Sequence, residues 1–304
     1  MKKIILLIAV LCLGLTGTYA QEQKVAAFEH LDLGITVGTT GIGFDLAAPI
    51  NEQFRVRAGF SFIPEFDVRM RFGLEGEGGN KFDSMADKFS DFTGLDIDSN
   101  IDMVGSPSFY NGNLFVDYFP IKNVGFHVTA GFYCGTSKIA SACNAIEDMA
   151  ALLGVTMYNN IYDKIEAGEP IFDDVYLTPE LEDKFLESGR LGIHVGDRVD
   201  TGEAYMLEPG TDGTVKLDLW VNTFKPYLGV GYGGKVSKSN DSVRLDFDAG
   251  VMFWGGAPKI VTHDGTDLAR DVENIDGKIG SYVSFAKGLQ VYPVLNLRVS
   301  FRLF

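Results

Sequence analysis

Apolar and polar residues alternate with a period of two along most of this 304-residue chain, as they do in extended strands with one oily and one polar face. Leu31, Leu33, Ile35 and Val37 alternate with Asp32, Gly34, Thr36 and Gly38, and Ile42, Phe44 and Leu46 with Gly43, Asp45 and Ala47. The apolar parity switches from odd to even across Thr39-Thr40-Gly41. A tight turn or a bulge would each do this, and the turn, giving two strands, is preferred. Phe54, Val56, Ala58, Phe60 and Phe62 oppose Arg55 and Arg57, and the row stays in phase through Phe66, Val68, Met70 and Phe72, opposite Arg69 and Arg71. Tyr110, Leu114, Val116 and Tyr118 then oppose Asn111, Asn113 and Asp117, and Phe126, Val128, Ala130 and Phe132 oppose His127, Thr129 and Tyr133. Val215, Leu217, Leu219 and Val221 oppose Lys216, Asp218 and Trp220. Next, Pro226, Leu228, Val230 and Tyr232 oppose Tyr227, Gly229, Gly231 and Gly233, and Val243, Leu245, Phe247, Val251 and Phe253 oppose Arg244, Asp246 and Asp248. The last row, Leu295, Leu297, Val299, Phe301 and Leu303, opposes Asn296, Arg298, Ser300 and Arg302. A weak strand is expected at Lys259 to His263.

Three insertions break the alternation. The first, about residues 73–106, holds Phe82, Met85, Phe89 and Phe92 at helical spacing. The second, about 135–213, predicts a helix near Ile139 to Leu153, another opened by Thr178-Pro179-Glu180 and stopped by Gly189, and an extended piece from Leu191 to Val199. The third, about 265–288, reads as partly helical. Short connections after Pro49, Phe119 and Asn222 alternate with long ones after Phe72 and Tyr133. The strand count is ten, or eight if the first pair and the strand at Lys259 dissolve.

The ends and the charge decide what such strands face. Lys2 and Lys3, an apolar run from Ile4 to Leu15, and Thr18-Tyr19-Ala20 read as a signal peptide over residues 1–20, cleaved after Ala20. The remaining chain has no apolar run of the roughly 18 residues a membrane helix needs. With 41 acidic against 26 basic residues and a net charge of −15, nucleic acid, which needs a basic surface, is excluded as a partner. The final strand closes on Phe301, Leu303 and Phe304. In this it resembles the outer-membrane β-barrel proteins of Gram-negative bacteria, small OmpA/OmpX-like or porin-like barrels, whose last strand ends in Phe and is read by the assembly machinery. It departs from their pattern at Arg302, where an oily residue is usual. The resemblance implies an all-β, transmembrane, antiparallel up-and-down barrel with short periplasmic turns and long, partly helical extracellular loops, and it makes outer-membrane lipid and the assembly machinery its partners. The row from Phe54 to Phe72 exceeds the ~9 to 11 residues that cross a bilayer, so that strand should project above it. Tyr110, Phe119, Tyr227, Tyr232 and Tyr292 would supply the aromatic girdles.

On that reading the polar faces turn inward, since Arg or Lys facing lipid at mid-bilayer costs ~2–4 kcal/mol. The expected lumen ladder is Asp45, Arg55, Arg57, Asp117, Lys216, Asp218, Arg244, Asp246, Asp248, Arg298 and Arg302, with Asp32, Arg69 and Arg71 of the same parity. A narrow barrel is just filled by its side chains, so a plugged or narrowly wet lumen is favoured over a conducting one. Asp96, Asp98, Asn100 and Asp102 have the alternate-oxygen spacing of a calcium loop, but Ile101 stands where such a loop needs glycine and no closing Glu follows. A solvated acidic loop is the simpler reading. Cys134 and Cys143 are either bridged or free. Of His30, His127, His194 and His263, only His127 faces the lumen, where a structural role is favoured. No nucleotide loop, metalloprotease helix or Gly-x-Ser-x-Gly elbow is present, and no cofactor is implied. The expectation is a non-enzymatic surface or structural protein, with a narrow channel, a rim hydrolase and a soluble β-sandwich as rivals.

Overall fold

The computed structural model describes residues 27–73, 75–76, 100–121, 124–237, 240–275 and 277–304. Eight antiparallel strands close into a barrel: β1 (Asp32–Gly38), β2 (Gly41–Pro49), β3 (Phe54–Phe62), β7 (Tyr110–Tyr118), β8 (Phe126–Gly135), β13 (Phe224–Ser237), β14 (Asn240–Met252) and β17 (Tyr292–Arg302). Around the ring they run β1-β17-β14-β13-β8-β7-β3-β2. Closure comes from β1, which pairs with β2 on one side and β17 on the other, setting Asp32 opposite Arg302 and Gly38 opposite Gly41. The ring therefore has no unpaired edge. The parity change at Thr39-Thr40-Gly41 is a tight turn. Gly41 takes φ +88°, and a Cβ there would strike the Phe62 carbonyl, so the turn needs glycine.

The barrel is inside out. Phe44, Leu114, Leu228, Phe247 and Leu297 point outward and keep between 40% and 52% of their surface exposed, whereas Asp117, Asp246 and Arg298 are fully buried inside. Apolar outside and charged inside is what hydrocarbon demands of alternate residues.

The count of ten strands becomes eight, though the first hairpin does not dissolve. Lys216–Trp220 (β12) and Lys259–Thr262 (β15) leave the ring and pair with each other in a separate five-stranded sheet. That sheet runs β15-β12-β9-β6-β4, with β9 at Lys138–Asn144, β6 at Asn100–Pro107 and β4 at Val68–Gly73. The long row from Phe54 is thus two strands, broken at Ile63-Pro64, and Arg69 and Arg71 belong to the second sheet. The helix expected from Ile139 begins later, because β9 fills the first part. Helix α1 spans Met149–Glu166 and α2 spans Pro179–Ser188, stopped at Gly189 (φ 73°). A smaller sheet joins β11 (Ala204–Leu207), β10 (Leu191–Arg198) and β16 (Val272–Glu273), with β5 (Glu75–Gly76) on β10, and α3 (Gly277–Gly288) completes the set. These elements share a core of Leu152, Val155, Leu191, Val215, Leu268 and Val283.

All three long excursions, between β3 and β7, β8 and β13, and β14 and β17, leave one end of the barrel and build this α+β cap. The opposite end carries the short connections from β2 to β3, from β7 to β8 and from β13 to β14. The turn at Thr223 to Lys225, grouped from the alternation with the short links, is the cap's return into the barrel at the cap end.

Candidate functional site: the plugged lumen and the outer cap

Inward residues of β2, β3, β7, β14 and β17 meet at mid-barrel. Arg57 donates through Nη1 to Asp248 (2.9 Å) and through Nη2 to Asp117 (2.8 Å). Arg55 Nε reaches the other Asp117 oxygen at 2.7 Å, and Thr129 Oγ1 donates to the same carboxylate at 2.7 Å. Arg298 grips Asp45 through Nε (2.8 Å) and Nη2 (2.6 Å) and touches Asp246 through Nη1 at 3.1 Å. His127 sets Nε2 2.9 Å from Asp248 and Nδ1 3.1 Å from the Gly125 carbonyl. Arg55, Arg57 and Arg298 thus share Asp45, Asp117, Asp246 and Asp248 in one continuous network. Charges this deep are tolerable only when paired and hydrogen-bonded on several sides.

Glycines make the room. A Cβ on Gly34 would overlap Asp45 and Arg298, one on Gly231 would overlap His127 and Asp248, and one on Gly233 would overlap Asp246. Toward the cap the lumen turns aromatic. Phe115, Tyr133 and Tyr227 pack with centroids 5.0 to 5.6 Å apart, and Met252, Val294 and Phe109 lie with them. Above them Tyr292 stands 5.7 Å from Phe109 and 5.1 Å from Trp254. Lys225, wholly buried, donates to Asn111 Oδ1 (2.9 Å) and to the carbonyls of Thr136 (3.0 Å) and Thr223 (3.3 Å). A pocket beside Thr36, Asp45, Arg57 and Tyr133 measures about 30 Å³, room for one or two waters, and a wider cavity of about 500 Å³ opens beside Asp32, Arg55 and Arg244 at the end away from the cap.

Seven of the expected ladder residues, Asp45, Arg55, Arg57, Asp117, Asp246, Asp248 and Arg298, meet in this network. Arg244 is partly buried beside it, and Arg302 lies at the inner end, 3.9 Å from Asp32. Lys216 and Asp218 are corrected: they sit in the cap sheet, 3.6 Å from each other, with Ser141 donating to Asp218 at 2.6 Å. Their alternation is the same, but the faces it separates are water and the cap core. Tyr227 and Tyr292, expected in the girdles, turn inward to the plug, while Tyr110 and Tyr232 face out. Lys225 and the aromatic plug were missed, although Lys225 shares the parity of Tyr227 and Gly229 and could have been read from it.

Asp96 and Asp98 of the possible calcium loop lie outside the described residues. Asp102 is engaged by Arg71, whose Nε and Nη2 reach it at 2.7 and 3.1 Å and hold its carboxyl below the usual carboxylate range. Among the described residues no three His, Cys, Asp or Glu side chains cluster for a metal. Cys134 and Cys143 are free thiols. In the cap, burial pushes the Tyr205 phenol up to about 12. Burial acts against ionisation of Asp264 too, but hydrogen bonds from Thr262, the Thr266 amide and Tyr205 outweigh it and hold the carboxyl low.

At the terminus Phe301 and Leu303 face outward, Leu303 N donates to the Leu31 carbonyl at 2.8 Å, and Phe304 is exposed. The chain is a closed barrel with a charge-filled lumen and a folded cap at one end. No family model matches it, and no curated protein does. Among solved structures it is similar to CarO of Acinetobacter baumannii, at 14% identity over 92% of this chain and 99% of that one, with a TM-score of 0.39. CarO2 of the same organism gives 14% identity, 92% and 100% coverage and a TM-score of 0.38. Ail, the attachment invasion locus protein of Yersinia pestis, solved with the heparin analogue sucrose octasulfate, gives 8%, 90%, 94% and 0.23. Likenesses this slight carry no chemistry across, so function has to come from this chain's own residues.

Proposed function

We propose that this chain is a non-enzymatic outer-membrane protein, exported by a signal peptide over residues 1–20, whose closed barrel anchors the cap at the cell surface for contact with molecules outside. The observation that carries the reading is the barrel's inverted polarity. Arg57, Asp117 and Arg298 are sealed inside a ring whose outer wall is Phe44, Leu114, Leu228, Phe247 and Leu297. In water such a wall would be a large apolar patch of the kind that drives aggregation, whereas in hydrocarbon it is the stable arrangement. The ion-pair network and the aromatic plug crowd the lumen, which supports an anchor over a channel, and the chain's length is spent on the cap. Phe301, Leu303 and Phe304 are the residues offered to the assembly machinery.

Two measurements test this. The protein should fractionate with outer membranes, need detergent for extraction and begin at Gln21. Refolded into planar bilayers it should show no stable conductance steps. Extraction by aqueous buffer alone would defeat the membrane reading, and steady conductance would make the chain a narrow channel instead.

A further inference from the structure

Of the four connections at the cap end of the barrel, three are long and build the cap, and the fourth is only Thr39-Thr40 between β1 and β2. Among the described residues the wall of the cap is therefore interrupted above β1 and β2, between the departure of the chain from β3 and its return into β17. A groove of about 400 Å³ lies between α3 and the apolar face of the five-stranded sheet. Val68, Met70, Ala140 and Leu219 form one side, Val283 lies on α3, and Trp254 lies toward the barrel. Its exposed residues belong to the two chain segments that flank the interruption. Phe66, four residues beyond β3, is 55% exposed, and Phe285 of α3, shortly before β17, is 68% exposed. The outward rings of Phe60, Phe62 and Tyr110 are stacked 5.5 and 6.3 Å apart on the barrel wall, at the end of β3 from which the chain runs to Phe66.

The geometry points to a lateral binding site for one hydrocarbon chain of a lipid of the surrounding leaflet, entering over the Thr39-Thr40 turn. A volume of this size suits a small apolar ligand. The near-absence of polar lining leaves nothing to orient a polar head inside, so the head stays in the interruption while the chain lies between α3 and the sheet. Phe66 at the groove lies only four positions beyond Phe62 on the barrel's outer wall, which favours a membrane lipid over a solute arriving from water. The inference rests on the membrane reading above.

The chain has two tryptophans, Trp220 and Trp254, so Trp220→Phe leaves one fluorescent donor beside the groove. In nanodiscs containing phosphatidylethanolamine with a cis-parinaroyl chain, Trp254 should transfer energy to that chain in a saturable way. Ala140→Phe, which fills the groove, should cut the transfer to the level given by the probe elsewhere in the disc. Phe285→Glu at the exposed lip should do the same without touching the core, which keeps the test valid should Ala140→Phe fail to fold. Equal transfer in all three proteins overturns the site. Transfer to free parinaric acid but not to the phospholipid overturns the lipid as the ligand's source. Transfer seen only after residues 82–92 are replaced by a Gly-Ser linker would mean that the chain fills its own groove, and overturns it as well. Membrane fractionation of the same proteins separates the two ideas: a protein that partitions into the membrane yet shows no transfer loses the site and keeps the anchor.

Discussion

Asp117 accepts hydrogen bonds from Arg55, Arg57 and Thr129 at 2.7 to 2.8 Å with no solvent exposure. Asp117→Asn keeps the shape and removes the charge, leaving two guanidinium groups competing for fewer carboxylates. Breaking a buried pair in this way costs about 3–5 kcal/mol, and urea unfolding of the lipid-refolded protein should show a loss of that order. Pairing Asp117→Asn with Arg57→Met should restore part of it, because the stranded cation is gone. An unchanged midpoint for Asp117→Asn would mean that the network is wet and screened. Gly231→Ala makes the complementary case through volume. The added methyl meets His127 and Asp248, so a change that ordinarily stiffens a strand should here destabilise it by about 1–3 kcal/mol.

At the scale of the element, each barrel strand separates two solvents, and β17 shows it most plainly. Leu297 faces out and Arg298 is buried. Leu297→Arg, near the middle of an eleven-residue strand, should cost ~2–4 kcal/mol in a bilayer, measured by the same unfolding. The same change on a water-washed surface would cost little. The cap strands answer to pH instead. The carboxyl of Asp264 is held low by Thr262, Thr266 and Tyr205, which outweigh burial, and that of Asp102 by Arg71. A depressed carboxylate contributes stability that is present above its unfolded pKa, about 4, and is lost as pH falls through the folded value. Amides around Tyr205 and Thr262 should therefore lose hydrogen-exchange protection as the pH falls below about 4, after correction for intrinsic rates. Protection that holds across that window would remove these carboxylates from the account of cap stability.

For the whole molecule, the arrangement of connections predicts an orientation on the membrane reading. Short links at one end and a folded cap at the other match periplasmic turns and extracellular loops. Protease added to intact cells should cut within residues 168–176, an exposed stretch joining α1 to α2, and leave the barrel strands intact. Cleavage only after the outer membrane is permeabilised would reverse the orientation. The separate apolar core of the cap, around Leu152 and Val283, explains why so long an insertion holds a shape of its own apart from the barrel.

The alternation by itself determined that Asp45, Arg55, Arg57, Asp117, Asp246, Asp248 and Arg298 share the face opposite Phe44, Val56, Val116, Phe247 and Leu297. Lipid and lumen demand opposite chemistry of neighbouring residues, and a period of two records that demand locally. It could not tell which sheet a strand joins. Lys216 to Trp220 alternates as regularly as any barrel strand, but its partners are Lys138 to Cys143 and Lys259 to Thr262, and pairing between distant segments leaves no local mark. Nor could it assign Lys138 to Asn144, rich in small residues, to a strand, because the neighbours on each side overrule weak propensity. Only the closed structure decided that eight strands suffice, that three arginines meet four aspartates in one network, and that aromatic rings pack together in the lumen toward the cap. Those are relations of distance between residues far apart in the chain, and they exist only once the barrel has closed.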